Sequence, residues 1–210
     1  MGIKKKKKLI VFASGNGSTF EALVRATRAT GRLSHAEITA LYTNRADCKA
    51  CSRARALGVT TRIFNSKQAR YSSLPSPYWQ AIEEALRRDK PDLICLAGFL
   101  LILPQHFLLQ CSARILNIHP SLLPAFKGLH AQKQAFDYGV RISGCTVHWV
   151  TRELDGGPLV AQEALRIRPT DSLASFSQRL LKLEHATYIE AIRHVLRSTK
   201  KSNLPRTEKP

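Results

Sequence analysis

Five apolar runs rich in β-branched residues, separated by stretches of helical periodicity, most constrain what this chain can fold into. They are KLIVFAS (8–14), EITALYT (37–43), VTTRIF (59–64), PDLICLAGF (91–99) and ARILNIH (113–119). Between them, Phe20, Leu23 and Val24 give residues 18–30 helical spacing, and ADCKACSRARAL (46–57) predicts a helix stopped by Gly58. PYWQAIEEALRRD (77–89) carries Pro near its start and Arg87–Arg88 near its end, both favourable helix positions, and PQHFLLQC (104–111) reads as a short helix. PDLICLAGF is apolar on consecutive positions, as expected of a strand covered on both faces. Strands that alternate with helices argue for an α/β fold: an open, mostly parallel Rossmann-like sheet with helices on both faces.

Past residue 120 the rhythm changes. GCTVHWVT (144–151) and PLVAQEALRI (158–167) are separated only by RELDGG, too short for the crossover that a parallel pair needs, so they are expected to pair antiparallel. A long helix from Ser172 to about Leu196 follows, with Asp171 as its predicted cap. The 210 residues fit one domain, residues 1–198, with a basic extension at 1–7 and a disordered basic tail at 199–210.

Lys4 to Lys8 and the C-terminal basic residues carry about half of the formal charge of +18, and such terminal runs are read as solvated. The remaining excess favours anionic ligands without separating phosphate metabolites from nucleic acid. No apolar run approaches the roughly 18 residues of a membrane span. The short apolar stretch Leu9 to Ala13 is read as a strand, not a signal peptide, and Lys6 stands where a myristoylation motif at Gly2 wants Ser or Thr. Five cysteines without a secretory signal point to free thiols in a reducing cytoplasm. Cys48 and Cys51 have the spacing of half a zinc site, but no second pair exists, so they read as ordinary helix cysteines and no metal is expected.

Two segments carry chemistry. SGNGSTF follows the first strand and opens a helix, so Gly15, Asn16, Gly17 and Ser18 can present backbone N–H groups to an anion, with Ser14, Asn16 and Ser18 as side-chain donors. No Gly-Lys-Ser/Thr follows, and Phe20 replaces the third glycine of a dinucleotide fingerprint, so a single phosphate fits best; a tight turn without ligand is the plain alternative. NIHPSLLPAFKG ends the fifth strand at Pro120. Asn117 and His119 share one strand face at its carboxyl end, where open α/β sheets bind ligands. Two such donors aimed at one carbonyl oxygen would stabilise the oxyanion formed when an amine attacks. Asp155, in the turn ELDGGP, is the carboxylate that would keep the imidazole charged, with Gly156 and Gly157 permitting close backbone approach. A satisfied polar pair and a turn aspartate are the plain readings. Together the three residues point to acyl transfer to an amine.

FASGNGSTFEALV, LAGFLLIL, LNIHPSLLPAFKGLHAQKQAFDYGV, SGCTVHWVTRELDGGPLVAQ and LEHATY resemble the folate-dependent formyltransferases, and within them the phosphoribosylglycinamide (glycinamide ribonucleotide) formyltransferase family. The resemblance covers residues 8 to about 196. It implies formyl transfer from 10-formyltetrahydrofolate to the amine of glycinamide ribonucleotide in purine synthesis. Asn117, His119 and Asp155 match the catalytic positions, and Gly15, Asn16, Gly17 and Ser18 the ribotide-phosphate loop. Glu184 matches the residue that meets the ribose hydroxyls. Phe99, Leu100, Leu101, Ile102 and Leu103 match the strand exit that lines the folate site, with Val150 and Asp155 closing over the pteridine. The partners implied are small molecules, with no specific nucleic acid and no membrane, for a cytoplasmic monomer or homodimer. Leu101 departs from the family's usual Arg, and Arg70 is the nearest substitute for another. Methionyl-tRNA formyltransferase shares the Asn-x-His segment but carries an additional C-terminal domain, and formyltetrahydrofolate deformylase an additional N-terminal one. A nucleic-acid module on the same fold would show a far steeper salt dependence than a ribotide site.

Overall fold

The computed structural model describes residues 5–65 and 76–198. The expectations for Gly2, Arg70 and the 199–210 tail fall outside that range. Seven strands form one open sheet in the order β3-β2-β1-β4-β5-β6-β7. Residues up to Leu116 form one compact unit and residues from Asn117 a second.

In the first unit β1 (Lys7–Phe12) pairs in parallel with β2 (Ala36–Thr43) and β4 (Leu93–Leu96), and β2 in parallel with β3 (Thr60–Ile63). Leu9, Ile10, Val11 and Phe12 are all fully buried, which is why the run is apolar without alternation. The helices are α1 (Ser18–Ala26), α2 (Lys49–Leu57), α3 (Pro77–Asp89) and α4 (Gln105–Gln110). Helix α1 packs against α2 and β2, and α3 against α4. Asp89, at the end of α3, accepts a fork from Arg62 at 2.8 and 2.6 Å and the Tyr42 hydroxyl at 2.8 Å, tying the helix to β2 and β3.

Two expected boundaries move, each for a local reason. Helix α1 stops at Ala26 rather than at residue 30, because Leu33 N–H donates to the Ala26 carbonyl at 2.8 Å and folds the chain back. A Cβ on Gly31 would lie 2.1 Å from that carbonyl, so the turn needs glycine. Helix α2 begins at Lys49 rather than 46, because Thr43 Oγ1 accepts the Arg45 N–H at 3.2 Å and holds the approach as a turn. The lysine run is not wholly solvated: Lys7 Nζ meets Asp92 Oδ1 at 2.8 Å and Lys8 N–H donates to Asp92 Oδ2 at 2.8 Å.

In the second unit β6 (Ile142–Trp149) and β7 (Leu159–Arg166) pair antiparallel, as the short connection requires. Strand β5 (Arg114–His119) ends in this unit with its last three residues. Helix α6 (Leu173–Arg197) packs against β6, β7 and the short helix α5 (Ala131–Tyr138), burying Phe176, Leu180, Tyr188 and Ile192. Sequence reasoning did not find α5. It has only two buried residues, Ala131 and Ala135, so its apolar stripe is too thin to show. Its ends are set by His130 and Gly139, both in the left-handed region. The cap of α6 is also corrected: Ser172 Oγ accepts the Ser175 N–H at 3.2 Å and Ser175 Oγ the Ser172 N–H at 3.1 Å, a reciprocal box. Asp171 sits one residue earlier and accepts from Arg168 N–H at 2.8 Å instead.

A Ser172→Ala variant removes that cap and should cost about 1 kcal/mol of stability by urea denaturation; an unchanged midpoint would show that Asp171 caps the helix after all.

Candidate functional site

The last residues of β5 and the connection between β6 and β7 build one buried polar cluster inside the second unit. Asn117 Nδ2 lies 3.1 Å from His148 Nε2. His148 Nδ1 lies 3.0 Å from the Trp149 carbonyl, which needs a donor, so Nδ1 carries the proton and Nε2 accepts from Asn117. One of the two Asn117 amide hydrogens remains for another partner. Asp155 Oδ1 stands 3.6 Å from His148 Nε2, and its Oδ2 stands 3.4 Å from His119 Nδ1. His119 and His148 are buried and Asn117 half-buried. The end of β5 and the β6–β7 connection therefore bring Asn117, His119 and Asp155 together, with His148 of β6 as an unforeseen fourth member. HWV reads as plain strand, and only the period of two, which puts Thr146 and His148 on one face, signals it.

Asp155 is held from several sides. Oδ2 accepts the Gly128 N–H at 2.8 Å. Burial works to raise its pKa, but the His148 and His119 rings beside it and the Gly128 N–H outweigh it, leaving the carboxyl below its ordinary value. His119 differs from the expectation. Burial depresses its pKa despite the Phe126 carbonyl and Asp155, so the ring is not kept charged in the ligand-free protein. Its Nε2 lies 2.8 Å from the Phe126 carbonyl, so that nitrogen is a donor.

The loops around the cluster are backbone-strained. Phe126, His130 and Asp155 have φ of 53°, 59° and 49°, conformations that non-glycine residues adopt at a cost of roughly 1–3 kcal/mol each. Gly157 is required: a Cβ there would lie 1.8 Å from the Trp149 carbonyl. Val150, at the end of β6, is half-buried.

Glu184, on α6, is buried at 7% exposure, with Gln132 Nε2 donating to Oε1 at 3.1 Å. Burial, offset only in part by Gln132, pushes its carboxyl up to about 7. It is therefore no surface residue, and Gln132 was hidden in the unrecognised helix α5.

In the first unit, β1 runs into the loop Ser14–Ser18. Gly17, at φ 74°, caps α1 with no side-chain cap, so the first-turn amides keep their hydrogens for an outside acceptor. Gly15 and Asn16 are exposed, Gly17 is buried and Ser18 half-buried. Arg53, on α2, donates from Nε to the Asn16 carbonyl at 2.9 Å and from Nη2 to Asn16 Oδ1 at 3.0 Å. With Oδ1 engaged, the Asn16 amide presents its N–H₂ outward. The third arm of Arg53 pairs with Glu21, which also pairs with Arg25. Ser14 is not an exposed donor: it is fully buried, and its Oγ accepts the Leu100 N–H at 3.0 Å. That bond fixes the exit of β4. There Leu100 and Ile102 are 57% and 72% exposed, Phe99 packs edge-on to Phe12 at 5.2 Å, Leu101 is half-buried and Leu103 is buried. Among the described residues no group of three or more His, Cys, Asp or Glu could hold a metal, and no helix is long and apolar enough to cross a membrane.

A family profile described as formyl transferase matches residues 7–192, spanning both units. The phosphoribosylglycinamide formyltransferase of Bacillus subtilis is 41% identical over 190 residues, 90% of this chain and 95% of that protein. The trifunctional purine biosynthetic protein adenosine-3 of Gallus gallus is 38% identical over 90% of this chain, which spans only 18% of that longer protein. The crystal structure of phosphoribosylglycinamide formyltransferase from Brucella melitensis superposes with a TM-score of 0.82 at 39% identity, covering 93% of this chain and 98% of the other.

The unfolded chain ionises Glu184 near its ordinary 4.5 and the folded chain only near 7, so stability falls as pH rises through that window and the loss, about 3 kcal/mol, is complete above it. Glu184→Gln should raise the urea midpoint at pH 8 and leave it unchanged near pH 4; equal shifts at both would contradict the buried carboxyl.

Proposed function

The chain belongs to the formyl transferase family, and from that premise we propose that it moves a formyl group from 10-formyltetrahydrofolate to the primary amine of glycinamide ribonucleotide, in purine biosynthesis. The observation that carries this reading is the buried Asn117–His148–Asp155–His119 cluster at the carboxyl end of β5. The donor supplies a formyl group on nitrogen. The amine nitrogen bonds to the formyl carbon, the bond from that carbon to the donor nitrogen breaks, and one proton passes from the amine to the departing nitrogen.

Each residue has a part that its surroundings support. Asn117 donates its second amide hydrogen to the formyl oxygen as negative charge grows there. His119 adds the N–H now given to the Phe126 carbonyl; growing negative charge nearby raises its basicity and offsets the depression by burial. Asp155, ionised and fixed, accepts the amine proton, directly or through water. The loop Gly15–Ser18 takes the ribotide phosphate on its free amides and the Asn16 N–H₂. Glu184 accepts from the ribose hydroxyls. The apolar surface of Leu100 and Ile102, with Phe99, Leu101 and Leu103, suits a flat heteroaromatic ring such as the folate donor carries, and Val150 in the second unit is the further apolar residue assigned to that ring. Leu101 supplies no cation for the donor's carboxylates.

The test is formyl transfer with both substrates beside a control lacking the amine. Asn117→Ala should lower kcat by about 10²–10³ while the KM for the ribotide barely moves; turnover kept at the parent level would remove the oxyanion role. Gly17→Val should do the reverse. Its side chain would meet the Ala50 backbone 2.6 Å away, displacing the loop and raising the ribotide KM, and a parent-like KM would refute the phosphate assignment.

A further inference from the structure

The loop read as the phosphate cradle rests on the first turn of α2, and the residue it rests on stands between two cysteines. Ala50 N–H donates to the Gly15 carbonyl at 3.1 Å, and a Cβ on Gly17 would lie 2.6 Å from the Ala50 Cα. Loop and helix turn thus touch without slack. On either side of Ala50, the sulfurs of Cys48 and Cys51 lie 3.4 Å apart. A disulfide has its sulfurs about 2.05 Å apart, so closure asks for a small approach of two atoms that already face each other.

The surroundings suit thiol chemistry. Cys48 is the extended N-cap of α2, where amide dipoles favour an anion. Burial works to raise its thiol, but hydrogen bonds from Thr43, Cys51 and the amides of Cys51 and Ala50 outweigh it and leave it below its ordinary value. Burial, and then Cys48, push Cys51 up to about 11. The two thiols thus share their first deprotonation, favouring Cys48, while the half-buried Cys51 is the sulfur an outside reagent meets more readily. Of the other cysteines, Cys95 and Cys145 are buried, Cys111 gives its thiol to the Ala113 carbonyl and Cys145 lies against Thr187.

We propose that Cys48 and Cys51 close a reversible intramolecular disulfide by exchange with a low-molecular-weight disulfide, and that closure shifts the Ala50 turn and loosens ribotide binding at the loop it braces. The thiolate attacks one sulfur of the reagent, forming a mixed disulfide and releasing one thiolate. The second cysteine, losing its proton, attacks the protein-bound sulfur and releases the other. The two protons lost by the protein end on two released thiols, the protein gives up two electrons, and the reagent takes both.

The disulfide stands on the sulfur geometry alone; the effect on binding rests on the proposed role of Gly15–Ser18. The full chain is equilibrated in glutathione buffers of stepped oxidised-to-reduced ratio, trapped with an alkylating reagent and mapped by mass. Oxidation should yield a species two hydrogens lighter with Cys48 joined to Cys51, reversed by dithiothreitol. Cys48→Ser should instead accumulate a glutathione adduct on Cys51. Absence of the cross-link at every ratio, or adducts without closure in the parent chain, overturns the proposal. The oxidised protein should show a several-fold higher ribotide KM with kcat retained, and the Cys48→Ser/Cys51→Ser double variant no response to oxidant. A cross-link with unchanged KM overturns the binding half alone. Lack of any transfer activity in the reduced protein refutes the functional reading and leaves the mass result standing.

Discussion

A carboxylate removed from water must be held by donors, and the second unit is arranged around holding Asp155. The Gly128 amide reaches it at 2.8 Å from one loop, while His119 and His148 face it from two strands. Phe126 and His130 near it, and Asp155 itself, adopt left-handed conformations that non-glycine residues take at a cost of roughly 1–3 kcal/mol each. The Gly128 bond to Asp155 and the His119–Phe126 contact help hold the 121–130 and 150–157 segments in that shape, together with Leu123 N–H on Thr146 Oγ1 and Lys127 on Glu153. The strain and the cluster therefore belong to one arrangement: without the carboxylate the Gly128 amide would lose its partner and the two histidines the charge that lies between them.

The Gly15–Ser18 loop, proposed as the phosphate cradle, solves the opposite problem, keeping donors exposed yet fixed. It does so by spending a charged residue where no charge reaches the ligand. Arg53 gives two of its arms to Asn16 and the third to Glu21, so its charge is largely neutralised and its role is geometric. Exposed amides hold an anion well only if they need not reorganise to meet it. Rigidity at this loop therefore comes from α2, through Arg53 and the Ala50 amide, so a change in the first turn of that helix would reach the proposed phosphate site.

The alternation of apolar runs and helical stretches made the sheet and most helices legible, since strands buried on both faces must be written in consecutive apolar residues. Asn117 and His119 were legible because polar side chains two apart at the end of such a run have no packing purpose. His148 was not: it lies in a strand that is buried from Ser143 to Trp149, and its value comes from neighbours distant in sequence. Arg53 and Gln132 were hidden for the same reason, as ordinary polar residues on helices whose partners only the fold supplies. Ser14 misled because a serine beside glycines reads as a ligand donor, whereas burial turned its hydroxyl toward the Leu100 amide. The charge on His119 was misjudged because a sequence shows the nearby carboxylate but not how far the ring is removed from water.

Two buried carboxylates in the same unit respond to burial in opposite ways, and the contrast bears on what each is for. Asp155 has a backbone amide and two imidazoles about it and stays ionised. Glu184 has one amide donor, Gln132, and its carboxyl is pushed up to about 7. A carboxylate so poorly supplied is costly to the fold by itself, and evenly packed apolar side chains would serve the core better. It becomes favourable once further donors arrive, because each hydrogen bond to the charged form lowers its pKa again. A pair of neighbouring hydroxyl groups supplies such donors. The energetic deficit at Glu184 thus matches the ribose contact proposed for it, with part of the binding energy coming from relief of a strain already present in the free protein.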